Sequence, residues 1–115
     1  KTQWHQAGDA TLRVVGVLLN KRVRGQDLGA RYGGAEFVAV LEGATSAEAI
    51  RIADDIRATL ERSPVDVGTA GRIHVSVSAG CAQLGDEMDI SAGLSLADVW
   101  LSQAKRAGRN QVVGL

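Results

Sequence analysis

Three groups of residues have types and spacings suited to holding a phosphorylated ligand. Gly33 and Gly34 are adjacent glycines between two apolar runs. Without Cβ atoms such a pair lets backbone N–H groups approach a phosphate, and it serves a plain two-residue hairpin turn equally well. Lys105 and Arg109 stand four residues apart near the end of the chain. On one face of a helix and its end, two cations can converge on a triphosphate, but cations at a helix C-terminus also answer the macrodipole with no ligand present. Arg24 and Asp27 set a guanidinium fork, which matches phosphate oxygens bidentately, beside a carboxylate. The same bare pattern marks many solvated turns. Asp9 offers an acceptor-only carboxylate that suits the N–H donors of a base edge, or an acid that the dipole favours in a helix's first turn.

The bulk composition narrows what such groups can do. The chain has 115 residues, with 13 Lys and Arg against 13 Asp and Glu. That length fits one domain with a single core. The charge balance draws it globally to neither nucleic acid nor membrane, so a bound anion must be held by local arrangement. The longest apolar run, Val14 to Leu19 interrupted by Gly16, is far too short to span a bilayer. The start, Lys1-Thr2-Gln3-Trp4-His5, has no apolar signal-peptide region. Cys81 is the single cysteine, which excludes an internal disulfide and points to a reducing cytosol. Its place in the apolar run Val75 to Ala82 favours a small buried residue over a nucleophile. His5 reads as a hydrogen-bonded, partly buried histidine in preference to a catalytic one.

The elements that must position these residues follow from periodicity. Leu12, Val15, Leu19 and Val23 recur at helical steps within 9–23. The runs 27–32 and 36–41 around the glycine pair predict a β-hairpin. Thr45 and Glu48 have capping-box spacing and start a second helix with Ala49, Ile52, Ala53, Ile56 and Leu60 inward, ending before Pro64. Alternation over 73–80 predicts a half-buried strand. A third helix is expected after Ser95, with Leu96, Val99, Trp100, Ala104 and Ala107 inward and Gly108 at its end. Residues 111–115 suggest a last short strand, and 85–93 a flexible loop. The expected class is α+β, with helices flanking a mostly antiparallel sheet.

Arg31-Tyr32-Gly33-Gly34-Ala35-Glu36-Phe37 resembles the RYGG(D/E)EF signature of the GGDEF domain of bacterial diguanylate cyclases. Four further segments match at that family's spacing. His5-Gln6-Ala7-Gly8-Asp9 resembles GHxxGD, and Arg24-Gly25-Gln26-Asp27 resembles the RxxD motif, with five residues between Asp27 and Gly33. Val77-Ser78-Ala79-Gly80 resembles the SIG strand. Ala97-Asp98 with Ala104-Lys105-Arg106-Ala107-Gly108-Arg109-Asn110 resembles the closing ADxALYxAKxxGRN. The resemblance covers the chain, 1–115.

It implies a nucleotide-cyclase, palm-like fold that binds GTP. Two domains meet as a homodimer with one GTP each, and each 3′-hydroxyl attacks the other's α-phosphate to give cyclic di-GMP and pyrophosphate. Two divalent ions, Mg²⁺ or Mn²⁺, would activate the hydroxyl. It assigns guanine to Asp9, phosphates to Gly33, Gly34, Lys105 and Arg109, a metal to Glu36, and an inhibitory product site to Arg24 and Asp27. It also implies a bacterial cytoplasmic setting with regulatory domains attached upstream, a membrane-anchored sensor among them. The alternative is a non-catalytic GTP or cyclic di-GMP sensor acting through Arg24 and Asp27.

The departures bear on catalysis. Ala35 occupies the third signature position, where the family carries Asp or Glu, and a methyl group neither ligates a hard cation nor accepts a proton. Lys1 and Trp4 stand where an aspartate and a glycine are usual, and Trp100 and Ser102 replace an alanine and a tyrosine. The family's first strand, with a metal-binding aspartate, and its guanine-binding asparagine would fall before Lys1, so the domain is expected to be N-terminally incomplete. The chain is expected to be inactive or weakly active.

Overall fold

A computed structural model describes residues 2–23, 28–33, 36–66, 68, 71–85 and 88–114, with the backbone path alone for 2–9 and 28–33. These residues form two compact units, Lys1–Glu42 with Thr59–Val75, and Gly43–Ala58 with Ser76–Leu115. No helix among them is long and apolar enough to cross a membrane.

The first unit is built on helix α1 (Thr2–Arg22) and the hairpin of β1 (Leu28–Gly33) and β2 (Glu36–Val40). Leu12, Val15, Leu19 and Val23 are half-buried, while Arg13 faces solvent, as the three- and four-residue steps require. A Cβ on Gly16 would sit 3.6 Å from Cε1 of Phe37, so α1 packs on β2 at ordinary contact distance. A second, very small hairpin pairs β3 (Val65–Asp66) with β4 (Arg72–Ile73), antiparallel. Its turn is tied by the Gly68 N–H donating to Asp66 Oδ1 at 2.9 Å and the Gly71 N–H to the Gly68 carbonyl at 2.9 Å. Leu60 and Val65 are buried here, only 2% and 3% exposed. Fully burying such a side chain contributes about 1.5–3 kcal/mol.

Helix α2 (Ser46–Arg62) starts at the capping box read from the sequence. The Thr45 N–H donates to Glu48 Oε1 at 3.1 Å, and the Glu48 N–H donates back to Thr45 Oγ1 at 3.2 Å. Two helix-terminal donors are thereby satisfied. Ile56 and Leu60 are buried and Ala49, Ile52 and Ala53 half-buried, the expected inner face.

The second unit centres on β5 (Ala79–Cys81), α3 (Ile90–Arg106) and β6 (Val112–Gly114), with β5 and β6 paired in parallel. A parallel pair needs a crossover, and α3 is that crossover. Gly80 lies so close to α3 that a Cβ would overlap the Ala97 carbonyl oxygen and the Leu101 backbone nitrogen. The face of α3 turned inward is therefore Gly93, Ala97, Trp100, Leu101 and Ala104, with Gly93 and Ala104 buried.

Three expectations are corrected. The α3 helix begins at Ile90, not after Ser95, because Asp89 takes the N-cap position and its Oδ1 accepts from the Ala92 N–H at 2.8 Å. The flexible loop expected over 85–93 is to that extent helix. Leu96 and Val99 are exposed, since the small residues that admit β5 set the phase of the helix. Ala107 is likewise exposed and lies in the turn beyond the helix end. The strand expected over 73–80 is two strands, β4 and β5, because alternation describes faces whereas a ladder needs partners, and 74–78 form none among the described residues. The described strands make three two-stranded ladders, two antiparallel and one parallel.

Two measurements check this packing. Gly80→Ala is expected to cost about 1–3 kcal/mol or more, because helix backbone must move to admit the methyl; urea denaturation reads it, and a loss under about 0.5 kcal/mol would contradict the contact. Burial pushes the Cys81 thiol above its ordinary 9.0. The folded state then keeps a proton that the unfolded chain releases, so stability is full below 9.0 and falls as pH rises above it. Cys81→Ser is expected to flatten that alkaline decline in melting temperature, and an unchanged slope would assign it to other groups.

Candidate functional site

In the first unit the hairpin sets the register of the glycine pair. Arg31 pairs with Phe37, but Gly33 pairs with Glu36, a shift of one residue that leaves Tyr32 extra on β1. Such a bulge sharpens the local twist and re-aims the side chains that follow it. The pairing also leaves two residues, Gly34 and Ala35, between the partners. These two lie outside the described residues, as do Arg24 and Asp27. Glu36 opens β2 and is exposed.

Asp9 lies within α1, which begins at Thr2 and has no acid in its first turn. The dipole's influence falls off within that first turn. The dipole therefore does not account for Asp9. The side chains of His5, Asp9 and Arg31 are not among those described.

In the second unit Lys105 and Arg109 are both exposed at the end of α3, but not on one helical face. Lys105 belongs to the last turn, the helix ends at Arg106, and Arg109 lies beyond it with φ 64°. The sequence spacing placed the two cations on one face of the helix and its end. Instead the Arg109 N–H donates to the Ala104 carbonyl at 3.0 Å and the Gly108 N–H to the Lys105 carbonyl at 3.4 Å. These two bonds form a Schellman motif, with Gly108 at φ 123° in the position that favours glycine.

After Gly108 two non-glycine residues, Arg109 and Asn110 (φ 49°), stay in the left-handed region. That conformation costs an ordinary L-residue about 1–2 kcal/mol and asparagine less. Surrounding hydrogen bonds offset it. Gln111 Nε2 donates to the Arg109 carbonyl at 3.1 Å and the Asn110 N–H to Ser78 Oγ at 3.2 Å. Arg57 Nη1 donates to Asn110 Oδ1 at 3.3 Å, while Arg57 Nε holds Asp54 Oδ1 at 2.6 Å. Arg57 escaped the sequence reading and Ser78 entered it only within the SIG-like strand, since nothing in their local pattern signals contact with a turn many residues away. The one available signal was Asn110 itself, a residue type tolerant of the left-handed region directly after Gly-Arg.

A divalent metal would need a set of hard oxygen ligands. Among the described residues no three His, Cys, Asp or Glu side chains come together, and Glu36 is the signature's sole carboxylate. The described residues alone do not make up a two-metal cage.

The comparisons place this geometry. A family described as "Diguanylate cyclase, GGDEF domain" matches residues 2–111. Response regulator PleD of Caulobacter vibrioides is 40% identical over 112 residues, covering 96% of this chain and 25% of its own length. Diguanylate cyclase DosC of Escherichia coli is 37% identical over 111 residues, covering 96% and 24%. The chain thus spans about a quarter of the length of the curated relatives it matches. Among solved structures, the GGDEF domain of DgcB from Caulobacter crescentus, in complex with c-di-GMP, superposes with a TM-score of 0.89 at 26% identity, covering 96% of this chain and 64% of that one. The GGDEF domain of YfiN from Pseudomonas aeruginosa gives 0.85 at 33%, covering 96% and 69%. The palm-like α+β fold is therefore that of these neighbours, and the chain belongs to the GGDEF-domain family of diguanylate cyclases.

Proposed function

We propose that this chain is a nucleotide-binding GGDEF domain of cyclic di-GMP signalling whose own cyclase chemistry is impaired at Ala35. The observation that carries the reading is the pairing of Gly33 with Glu36. Gly34 and Ala35 fall between these two partners in sequence, and Ala35 supplies a methyl where the signature has a carboxylate. Glu36 alone then offers an oxygen ligand to a magnesium or manganese ion that arrives with GTP. Asp9 would hold the guanine, and Gly33, Gly34, Lys105 and Arg109 the phosphates.

The two units are read as one domain over 1–115, a reading supported by a family match that runs across both. Catalysis in such a domain needs a homodimer with one GTP on each copy. The greater length of the curated relatives supports regulatory domains attached upstream, and their bacterial origin supports a bacterial cytoplasmic setting.

A chromatographic assay for cyclic di-GMP, with GTP and magnesium, tests the impairment. The protein with Ala35 is expected to give no product or a trace, and Ala35→Glu to restore it. Ample product from the unaltered protein would overturn the impairment, and silence in both would favour a sensor.

That sensor reading is favoured by one specific observation: the neighbouring DgcB domain was solved with c-di-GMP. Here Arg24 would grip phosphate or guanine and Asp27 the base. Arg24→Ala is expected to abolish cyclic di-GMP binding in calorimetry while circular dichroism stays unchanged. Equal affinity in the variant would rule this reading out.

A further inference from the structure

We propose that Arg57 is a positioning residue for Arg109, acting through Asn110. The inference rests on the reading that Arg109 holds phosphate.

Arg57 lies on α2 with its side chain only 18% exposed. Its Nε donates to Asp54 Oδ1 at 2.6 Å, one turn back on the same helix. A guanidinium is planar and rigid, so that bond fixes the whole fork and the direction of its remaining donors. One of them, Nη1, reaches Asn110 Oδ1 at 3.3 Å. Asn110 is gripped at its backbone too, where its N–H meets Ser78 Oγ at 3.2 Å. With both its side chain and its N–H held, the left-handed conformation of Asn110 is over-determined.

Arg109 is the residue immediately before it, exposed and itself left-handed. From α3 its backbone is fixed by the Schellman bond to Ala104, and from the other side by Asn110. The direction in which the Arg109 side chain leaves the backbone is thus set by two neighbours, one of which Arg57 controls. Release of the Arg57 bond loosens the turn on that side, leaving the Ser78 bond to hold Asn110. Arg109 must then be ordered when a ligand binds, and that ordering weakens binding.

The test is a double-mutant cycle read by calorimetry with GTP and magnesium, with thermal melting alongside. Arg57→Ala is expected to weaken GTP binding about tenfold, the scale of ordering one long side chain. Arg109→Ala is expected to weaken it at least as much, and the double variant no further than Arg109→Ala alone. A residue that merely stabilises the fold would instead give additive losses. Additive losses, or an unchanged affinity in Arg57→Ala, would overturn the positioning role while leaving the phosphate reading intact. If Arg109→Ala binds GTP like the unaltered protein, the phosphate reading falls and this inference with it. Asn110→Gly serves should Arg57→Ala fail to fold, since glycine accommodates the left-handed backbone and removes the acceptor that Arg57 reaches. A loss like that expected of Arg57→Ala supports the proposal, and no loss overturns it.

Discussion

Much of the second unit follows from the missing Cβ at Gly80. Because β5 comes within backbone contact of α3 at Ala97 and Leu101, the helix must turn its small residues inward, with Gly93 against Leu84 and Ala104 buried. That requirement fixes the helix phase and sends Leu96 and Val99 outward, against their hydrophobicity. One consequence is a buried Trp100 Nε1 that finds no hydrogen-bond partner among the described residues. An unsatisfied donor of this kind costs about 1–3 kcal/mol. The close approach also dictates the far end of the helix. With β6 pairing β5 in parallel, Ala79 opposite Val112, the chain must reverse within the few residues after Arg106. A glycine-based Schellman motif followed by two left-handed residues accomplishes this.

The same turn carries the candidate phosphate ligand. A flexible exposed arginine is ordinarily a poor positioning element, since holding its rotamers costs conformational entropy. Here two hydrogen bonds, with Ala104 and Gln111, hold the Arg109 backbone itself, and two more, with Ser78 and Arg57, hold the adjoining Asn110. Left-handed geometry at a non-glycine residue is tolerated where surrounding contacts over-determine it, which is often the condition of a working site.

The sequence was informative wherever chemistry is local. The capping box of α2 involves side chains three residues apart and was legible, as were the glycine pair between β1 and β2 and the glycine after α3. The start of α3 was not, because Ser91, Gly93 and Ser95 are weak helix formers that read as loop. Helix there is secured by the Asp89 cap and by packing against β5, and packing overrides propensity. The hairpin of β3 and β4 escaped notice because two-residue strands have no alternation to detect. At the site, the motif residues were legible as types. The geometry of Arg109 was not, since spacing of i and i+4 implies a shared face only while the helix lasts.

Ala35 illustrates why binding and chemistry can separate in such a domain. The hairpin ladder runs from Leu28 with Val40 to Gly33 with Glu36, and Ala35 belongs to none of its pairs. The α2 capping box and the β5–α3 contact involve other residues altogether. A carboxylate missing at position 35 therefore takes nothing from those ladder pairs or from that cap. On the proposed reading it takes negative charge from a phosphate site, and there it has opposing effects. For a bound nucleotide alone, one fewer carboxylate lessens repulsion of the triphosphate. For the reaction, the same carboxylate would help hold the cation and activate a hydroxyl. On the proposed reading, ligand affinity and turnover respond to this position in opposite directions, so one can persist where the other is lost.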